Sequence, residues 1–164
     1  MNINYWDYFS DSVTIDLTEF NKANNIVNDN IQPLTFTLKN YYSILELKDL
    51  NSDYAPDIFE DYYIQDGDRP DIISYKLYTD YSFWWVSLLV NHISIMDFPL
   101  NKKDLIFMSE DLYKTENKYA SSNDYYKILN ELNDKKRSIK VVKKEYLSLF
   151  LRQLYDFVWR NDVN

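Results

Sequence analysis

The sequence predicts an α+β fold, and three observations carry that expectation. Two short stretches in the first fifty residues alternate apolar and polar side chains. A central segment passes from a strand through the chain's only glycine into a capped helix. The last stretch sets its apolar residues along one helical stripe.

The first fifty residues read as strands and loop. VTIDLTEF places Val13, Ile15 and Leu17 on one face and Thr14, Asp16 and Thr18 on the other. PLTFTLKN sets Leu34, Phe36 and Leu38 against Thr35, Thr37 and Lys39 in the same way. Period-two alternation of this kind marks half-buried strands. NKANNIVNDN between them is polar and reads as a loop. So few apolar positions give a marginal core, and residues 1–57 are expected to form an extended β arm that docks on something else.

Residues 58–110 are expected to form a small strand–helix–helix–strand module. DYYIQDGD alternates around Tyr63 and Ile64 and reads as its opening strand. Gly67 follows, where a positive φ carries no steric cost. Asp68 suits a helix N-cap, Pro70 the first helical position, and Asp71 the first turn, where the dipole favours a carboxylate. Ile73 and Leu77, with Ile72 beside them, then define a buried face. Ser82 is expected to cap a second helix, FWWVSLLVNHI, apolar on nearly every side and therefore largely buried. Trp85, Leu89 and His92 share one of its faces, and Trp84, Leu88 and Asn91 the adjacent one. One ring of the Trp84–Trp85 pair is expected to be buried and the other half-exposed. After NHISIMDFPLNKKD, DLIFMS at 104–109 reads as the return strand.

Residues 111–164 are expected to be helical with a short strand. SSNDYYKILNELNDKK offers a capping serine and apolar Tyr125, Ile128, Leu129 and Leu132 at helical spacing. RSIKVV is strand-like. EYLSLFLRQLYDFVW aligns Leu147, Phe150, Leu151, Leu154, Phe157 and Val158 on one stripe.

Composition narrows the function classes. The chain has 164 residues, a formal net charge of −8, and 16 Tyr, 9 Phe and 4 Trp. Aromatics are enriched where proteins bind one another, and an AT-rich coding sequence inflates Tyr, Asn, Ile and Lys as well. The acidic balance disfavours nucleic acid and anionic membranes as partners. The longest apolar run, Phe83 to Val90 broken by Ser87, is too short to span a bilayer. MNINYWDYFSD lacks the basic start and apolar core of a signal peptide.

The chain holds few of the side chains that catalysis or cofactor binding needs. The chain carries one His, one Gly and no Cys. A glycine-rich phosphate cradle, a thiolate site and a multi-histidine metal site therefore cannot be assembled, and neither a cofactor nor an enzymatic activity is expected. A Ser-His-Asp triad would need His92, which lies in the apolar helix on this reading and suits a core or interface histidine. Asp57, Glu60, Asp61, Asp66, Asp68 and Asp71 crowd one region, where paired acids suit glycoside hydrolysis or calcium. The run lacks the register of a calcium loop and reads more simply as a solvated acidic surface with helix caps.

YYIQDGDRPDIISYKLY resembles the opening strand, Gly-Asp turn and first helix of the LysM fold, a βααβ module that often binds N-acetylglucosamine polymers. A wider resemblance adds FWWVSLLVNHI, with DFPL after it, and the tail RSIKVVKKEYLSLFLRQLYDF. Together, in this order, the three pieces resemble the baseplate wedge protein 53 family of T-even-like contractile-tailed phages, whose members carry a LysM-like centre. The likeness spans about residues 60 to 160 and is weakest over 109–136. Phe83-Trp84 and Ile95-Met96-Asp97-Phe98 stand where that family often has a histidine or tyrosine before the tryptophan and a DP-F/Y-Y run after the asparagine.

The resemblance implies a structural virion subunit, made in the host cytoplasm and joining neighbouring wedges of a sixfold baseplate. Its implied partners are other wedge subunits and a sheath-initiator-like protein. The alternative it leaves open is a LysM-type peptidoglycan-binding module. Gly67, Asp68 and Pro70 are the expected fold-defining turn and cap. Tyr63, Trp84, Trp85, Asn91 and Phe98 in the centre, and Leu147, Phe150, Leu151, Leu154 and Phe157 in the last helix, are the candidate core or interface positions.

Overall fold

A computed structural model describes residues 12–18, 32–37 and 55–163. The expected loop at 21–30, the amino-terminal MNINYWDYFSD up to Asp11, and the strand-face positions Leu38 and Lys39 lie outside the described residues.

The fold is α+β, as expected. Strand β1 (Ser12–Ile15) pairs antiparallel with β2 (Leu34–Thr37), with Val13 opposite Phe36 and Ile15 opposite Leu34. The alternation works as read: Val13, Ile15, Leu17 and Phe36 are buried, while Thr14 and Thr35 face outward and share a hydroxyl hydrogen bond of 2.8 Å. A single helical turn, α1 (Ala55–Ile58), leads into β3 (Phe59–Tyr63). Then come α2 (Pro70–Tyr78), α3 (Trp84–Val90), α4 (Lys102–Thr115), α5 (Ser122–Asp134), β4 (Ser138–Val142) and α6 (Leu147–Val163).

The main departure from expectation is at 104–109. The segment read as a return strand lies inside α4, whose Asn101 cap accepts from the Asp104 N–H at 2.8 Å. Short apolar runs do not distinguish strand from helix by periodicity. Here the buried positions are Leu105 and Ser109, one helical turn apart, while Ile106, Phe107 and Met108 are exposed. The partner of β3 is instead β4, antiparallel, with Phe59 opposite Val142 and Tyr63 opposite Ser138. The helical pair α4–α5 is thus inserted between α3 and the strand that completes the sheet.

Two hydrophobic clusters share α3. One joins Val13, Ile15, Phe36, Ile58, Phe59 and Val142 to the α6 stripe of Leu147, Phe150, Leu151, Leu154 and Val158. Edge-on aromatic contacts tie it together: Phe36 to Trp85 at 5.8 Å and Phe59 to Phe150 at 6.3 Å between ring centroids. The second gathers Ile64, Ile73, Leu88, Phe98, Ile139 and Val141. α3 sends Trp85, Val86, Leu89 and Val90 into the first and Leu88 into the second, and Trp84 packs against both. A helix apolar all round is explained by a core on each side. The α5 stripe is narrower than its sequence implied: Tyr125 is buried, but Ile128 and Leu132 are 40% and 51% exposed.

The helix ends show how a chain with one glycine turns corners. Left-handed backbone falls on Thr79 (φ 56°), His92 (φ 56°) and Asn117 (φ 48°), directly after or within two residues of the ends of α2, α3 and α4. At α3 the bonds Ile93 N–H to Leu88 C=O (3.1 Å) and His92 N–H to Leu89 C=O (3.2 Å) form a Schellman motif. His92 therefore does not lie in the apolar helix, as the sequence suggested. It is exposed and occupies the position where glycine is usual.

Candidate functional site

The Gly67 turn is the most densely bonded polar region that the sequence singled out. Gly67 has φ +82°, as expected of a residue linking a strand directly to a helix. The cap is another matter. Arg69 occupies the N-cap position of α2 and makes no side-chain cap bond, while Pro70 fills the first helical position as expected. Asp68 is not the cap; its carboxylate turns inward, its side chain 2% exposed. There it accepts from the Tyr62 hydroxyl (2.8 Å), the Gln65 backbone N–H (2.9 Å) and the Lys76 ammonium (2.6 Å). Strand β3, the turn and the second half of α2 are latched through one side chain. A single residue's displacement decides this: one position before the N-cap, a carboxylate faces the strand rather than the helix's free N–H groups.

The charges in this latch are coupled. Burial by itself would raise the Asp68 pKa, but the bonds from Lys76, Gln65 and Tyr62 outweigh it and hold the carboxyl below its ordinary value of 3.8. Tyr62 is driven the other way, its hydroxyl made harder to ionise by burial and by the Asp68 carboxylate it bonds. Tyr78 is likewise raised, by burial and then by the charge of Glu60, partly offset by its bond to Val142.

The remaining acids divide by role. Asp66 accepts from the Lys102 backbone N–H at 2.7 Å, so the same turn caps α4 from outside. Asp71 is 2% exposed, bonded to Arg69 at 3.1 Å through Oδ2, with Oδ1 buried and unbonded. Asp57, Glu60 and Asp61 are exposed, and Asp61 meets Lys140 across the β3–β4 ladder. The sequence groups these as one acidic surface with helix caps; in the fold Asp66 stays exposed and bonds the start of α4, while Asp68 is buried as an acceptor within the turn. Asp80, rather than Ser82, caps the segment leading into α3: it accepts from the Ser82 N–H at 2.8 Å, and a 3-10 turn at Tyr81–Phe83 precedes the helix.

Two asparagines and an arginine, of which only Asn91 had been singled out, bind segments far apart in sequence. The Asn91 carboxamide accepts from the Lys140 N–H (2.8 Å) and donates to the Lys140 C=O (2.7 Å), pairing with β4 as a strand would. Asn133, 6% exposed, does the same to both backbone groups of Leu100, at 2.7 and 2.8 Å. Arg137, 8% exposed, donates to the Ile64 C=O (3.0 Å), the Leu100 C=O (3.3 Å) and Asp134 (3.1 Å). The guanidinium fork satisfies three acceptors from separate segments, which a lysine ammonium does less well. Nothing local in the sequence signals these pairings, because each partner lies more than thirty positions away, Asp134 excepted.

The other candidate positions fall as follows. Trp85, Phe98, Leu147, Phe150, Leu151 and Leu154 are buried, and Trp84, Asn91 and Phe157 are half-buried. Tyr63 is 55% exposed on β3. Large apolar side chains also reach the surface on α4 (Phe107, 73% exposed), α5 (Leu132) and α6 (Trp159, 51%). An open recess of about 290 Å³ lies between α4 and α5, lined among others by Lys102, Ile106, Ser109 and Tyr126. No helix among the described residues is long and apolar enough to cross a membrane. Searches against protein-family models and among curated proteins return no match for this chain.

Proposed function

We propose that this chain is a structural subunit of a phage tail baseplate wedge, a virion protein that joins neighbouring wedges through protein–protein contacts. The reading starts from the three ordered sequence motifs around Gly67, Trp84–Trp85 and the last helix. The observation that carries it furthest is the set of large apolar side chains left at the surface on three separate helices: Phe107 on α4, Leu132 on α5 and Trp159 on α6. Of these, Phe107 lies in a run of three consecutive exposed apolar residues, Ile106, Phe107 and Met108 on α4, and such a run suits a protein contact better than single exposed residues do. The partners on this reading are other wedge subunits and a sheath-initiator-like protein.

The peptidoglycan-binding alternative draws less support, because the Gly67 turn lies against the start of α4 through the Asp66–Lys102 bond. Co-expression with the neighbouring wedge genes tests the proposal. A stable complex that survives gel filtration, and is weakened by Phe107→Ser or Trp159→Ser, is expected. A monodisperse chain that binds none of those proteins overturns it, and retention on purified peptidoglycan would favour the alternative.

A further inference from the structure

We propose that the outer edge of β3 is a docking edge that accepts an extended, lysine- or arginine-bearing segment of another protein as an added strand. The inference does not depend on the baseplate reading.

The ladder itself shows which backbone groups are available. The Ile64 N–H bonds to the Arg137 C=O, and the Lys143 N–H to the Ile58 C=O, each at 2.8 Å. These bonds extend the β3–β4 register beyond both ends of the strands. In an antiparallel pair alternate residues direct both backbone groups to the partner, and those between direct them away. The inward set is therefore Ile58, Glu60, Tyr62 and Ile64, and the outward set Phe59, Asp61 and Tyr63. On β4 the outward set is Ser138, Lys140 and Val142.

The two edges are treated differently. The edge of β4 is covered at its centre and far end by side chains: the Asn91 carboxamide occupies both groups of Lys140, and the Tyr78 hydroxyl donates to the Val142 C=O at 2.6 Å. On β3 the Gln65 side chain takes the Tyr63 C=O at 3.1 Å. Among the described residues no hydrogen bond reaches the outward N–H or C=O of Asp61, or the N–H of Tyr63. An unpaired strand edge is a template for another strand.

Charge selects the occupant. Asp57, Glu60, Asp61 and Asp66 are all exposed on or beside this strand, and Lys140 reaches Asp61 from the opposite, β4 side. A second copy of β3 in antiparallel register centred on Asp61 would set that carboxylate directly against its own copy, which is unfavourable for opposed like charges. A segment with cations at alternate positions presents them on one face, to Asp61 in one register and to Glu60 in the other, and Tyr63, 55% exposed, offers an aromatic surface on the face of Asp61.

Hydrogen exchange on the full chain, read residue by residue, tests this. The probes are a capped heptapeptide of alternating valine and lysine, its glutamate counterpart, and a lysine version N-methylated on alternate amides. The lysine peptide is expected to slow exchange of the Asp61 and Tyr63 amides roughly tenfold, with no effect from the other two. Asp61→Pro removes an outward N–H and the Asp61 carboxylate but no β3–β4 ladder bond, so it is expected to abolish protection of the Tyr63 amide while leaving β4 paired. Asp61→Lys is expected to weaken the lysine peptide and admit the glutamate one. Equal effects of lysine and glutamate peptides, or protection confined to other residues, overturn the proposal. Amides already protected in the free monomer overturn it in favour of the chain's own segments. A dimer that Asp61→Pro dissociates overturns it in favour of a second copy.

Discussion

At the scale of single residues, two positions in the opening turn carry distinct costs. A Cβ at Gly67 would meet nothing within 4 Å, so a substitution there is opposed by backbone conformation alone. Gly67→Val is expected to lose about 1–3 kcal/mol in urea unfolding. Gly67→Asn should lose much less, because asparagine tolerates positive φ. Equal midpoints for the valine variant and wild type would contradict this account. Asp68 makes a prediction in pH. Its folded pKa lies below 3.8, so its stabilisation is present above that value and is lost as pH falls through the folded pKa. Asp68→Asn is expected to cost about 2 kcal/mol at neutral pH, and to remove part of the acid-induced loss seen in wild type below about pH 4. Denaturant midpoints of both proteins across pH 2 to 7 check the sign. Glycine's place was legible in the sequence because its conformational reason is local. The carboxylate's role was not, because its three donors converge only in the folded turn.

At the scale of elements, the four strands and the last helix are legible, as are the proline start of α2 and the capping serine of α5, Ser121; the cap of α2, the start of α3 and the end of α3 are not. Alternation marked β1 and β2 because one face of each is buried, and the stripe from Leu147 to Val158 marked α6 for the same reason. α4 reads as a strand in sequence because its consecutive apolar residues Ile106, Phe107 and Met108 face outward, so apolar content does not report burial. The Schellman end of α3 suggests a stabilising change. His92→Gly should gain about 0.5–1 kcal/mol, the left-handed penalty of a side chain less glycine's entropy. Thermal unfolding is the measurement, and a drop in midpoint would mean that the imidazole does more than occupy the corner. Asn91→Ala should lose about 1–3 kcal/mol, because Lys140 would lose both backbone partners on the outer edge of β4. Faster amide exchange at Lys140, with Ile139 and Val141 still protected through β3, is the expected signature.

At the scale of the whole molecule, α3 makes the two clusters one folding unit. Trp84 touches both, and the β3–β4 sheet feeds Phe59 and Val142 to the first and Ile139 and Val141 to the second. Phe150, fully buried in the first cluster, should cost about 3–5 kcal/mol when cut to alanine. Because the clusters share a helix and a sheet, that variant is expected to unfold in one transition whether followed by tryptophan fluorescence or by far-ultraviolet dichroism. Two separated transitions would show that the clusters fold independently. Arg137 adds to the coupling, since one guanidinium holds the end of β3, the approach to α4 and the end of α5.

The sequence by itself determined what depends on neighbours along the chain: the alternation of β1 and β2, the positive φ at Gly67, the proline start of α2 and the buried stripe of α6. Each is set by sterics or by a period of two or 3.6 residues. Only the tertiary structure decided that β3 pairs with β4 across the inserted helices α4 and α5. The same holds for Asp68 as a buried acceptor, for exposed Asp66 as the acceptor at the start of α4, and for Asn91, Asn133 and Arg137 as ties between distant segments. Those outcomes depend on which backbone groups are left unpaired once the chain is packed, and a buried polar group must find its partner wherever the fold brings one.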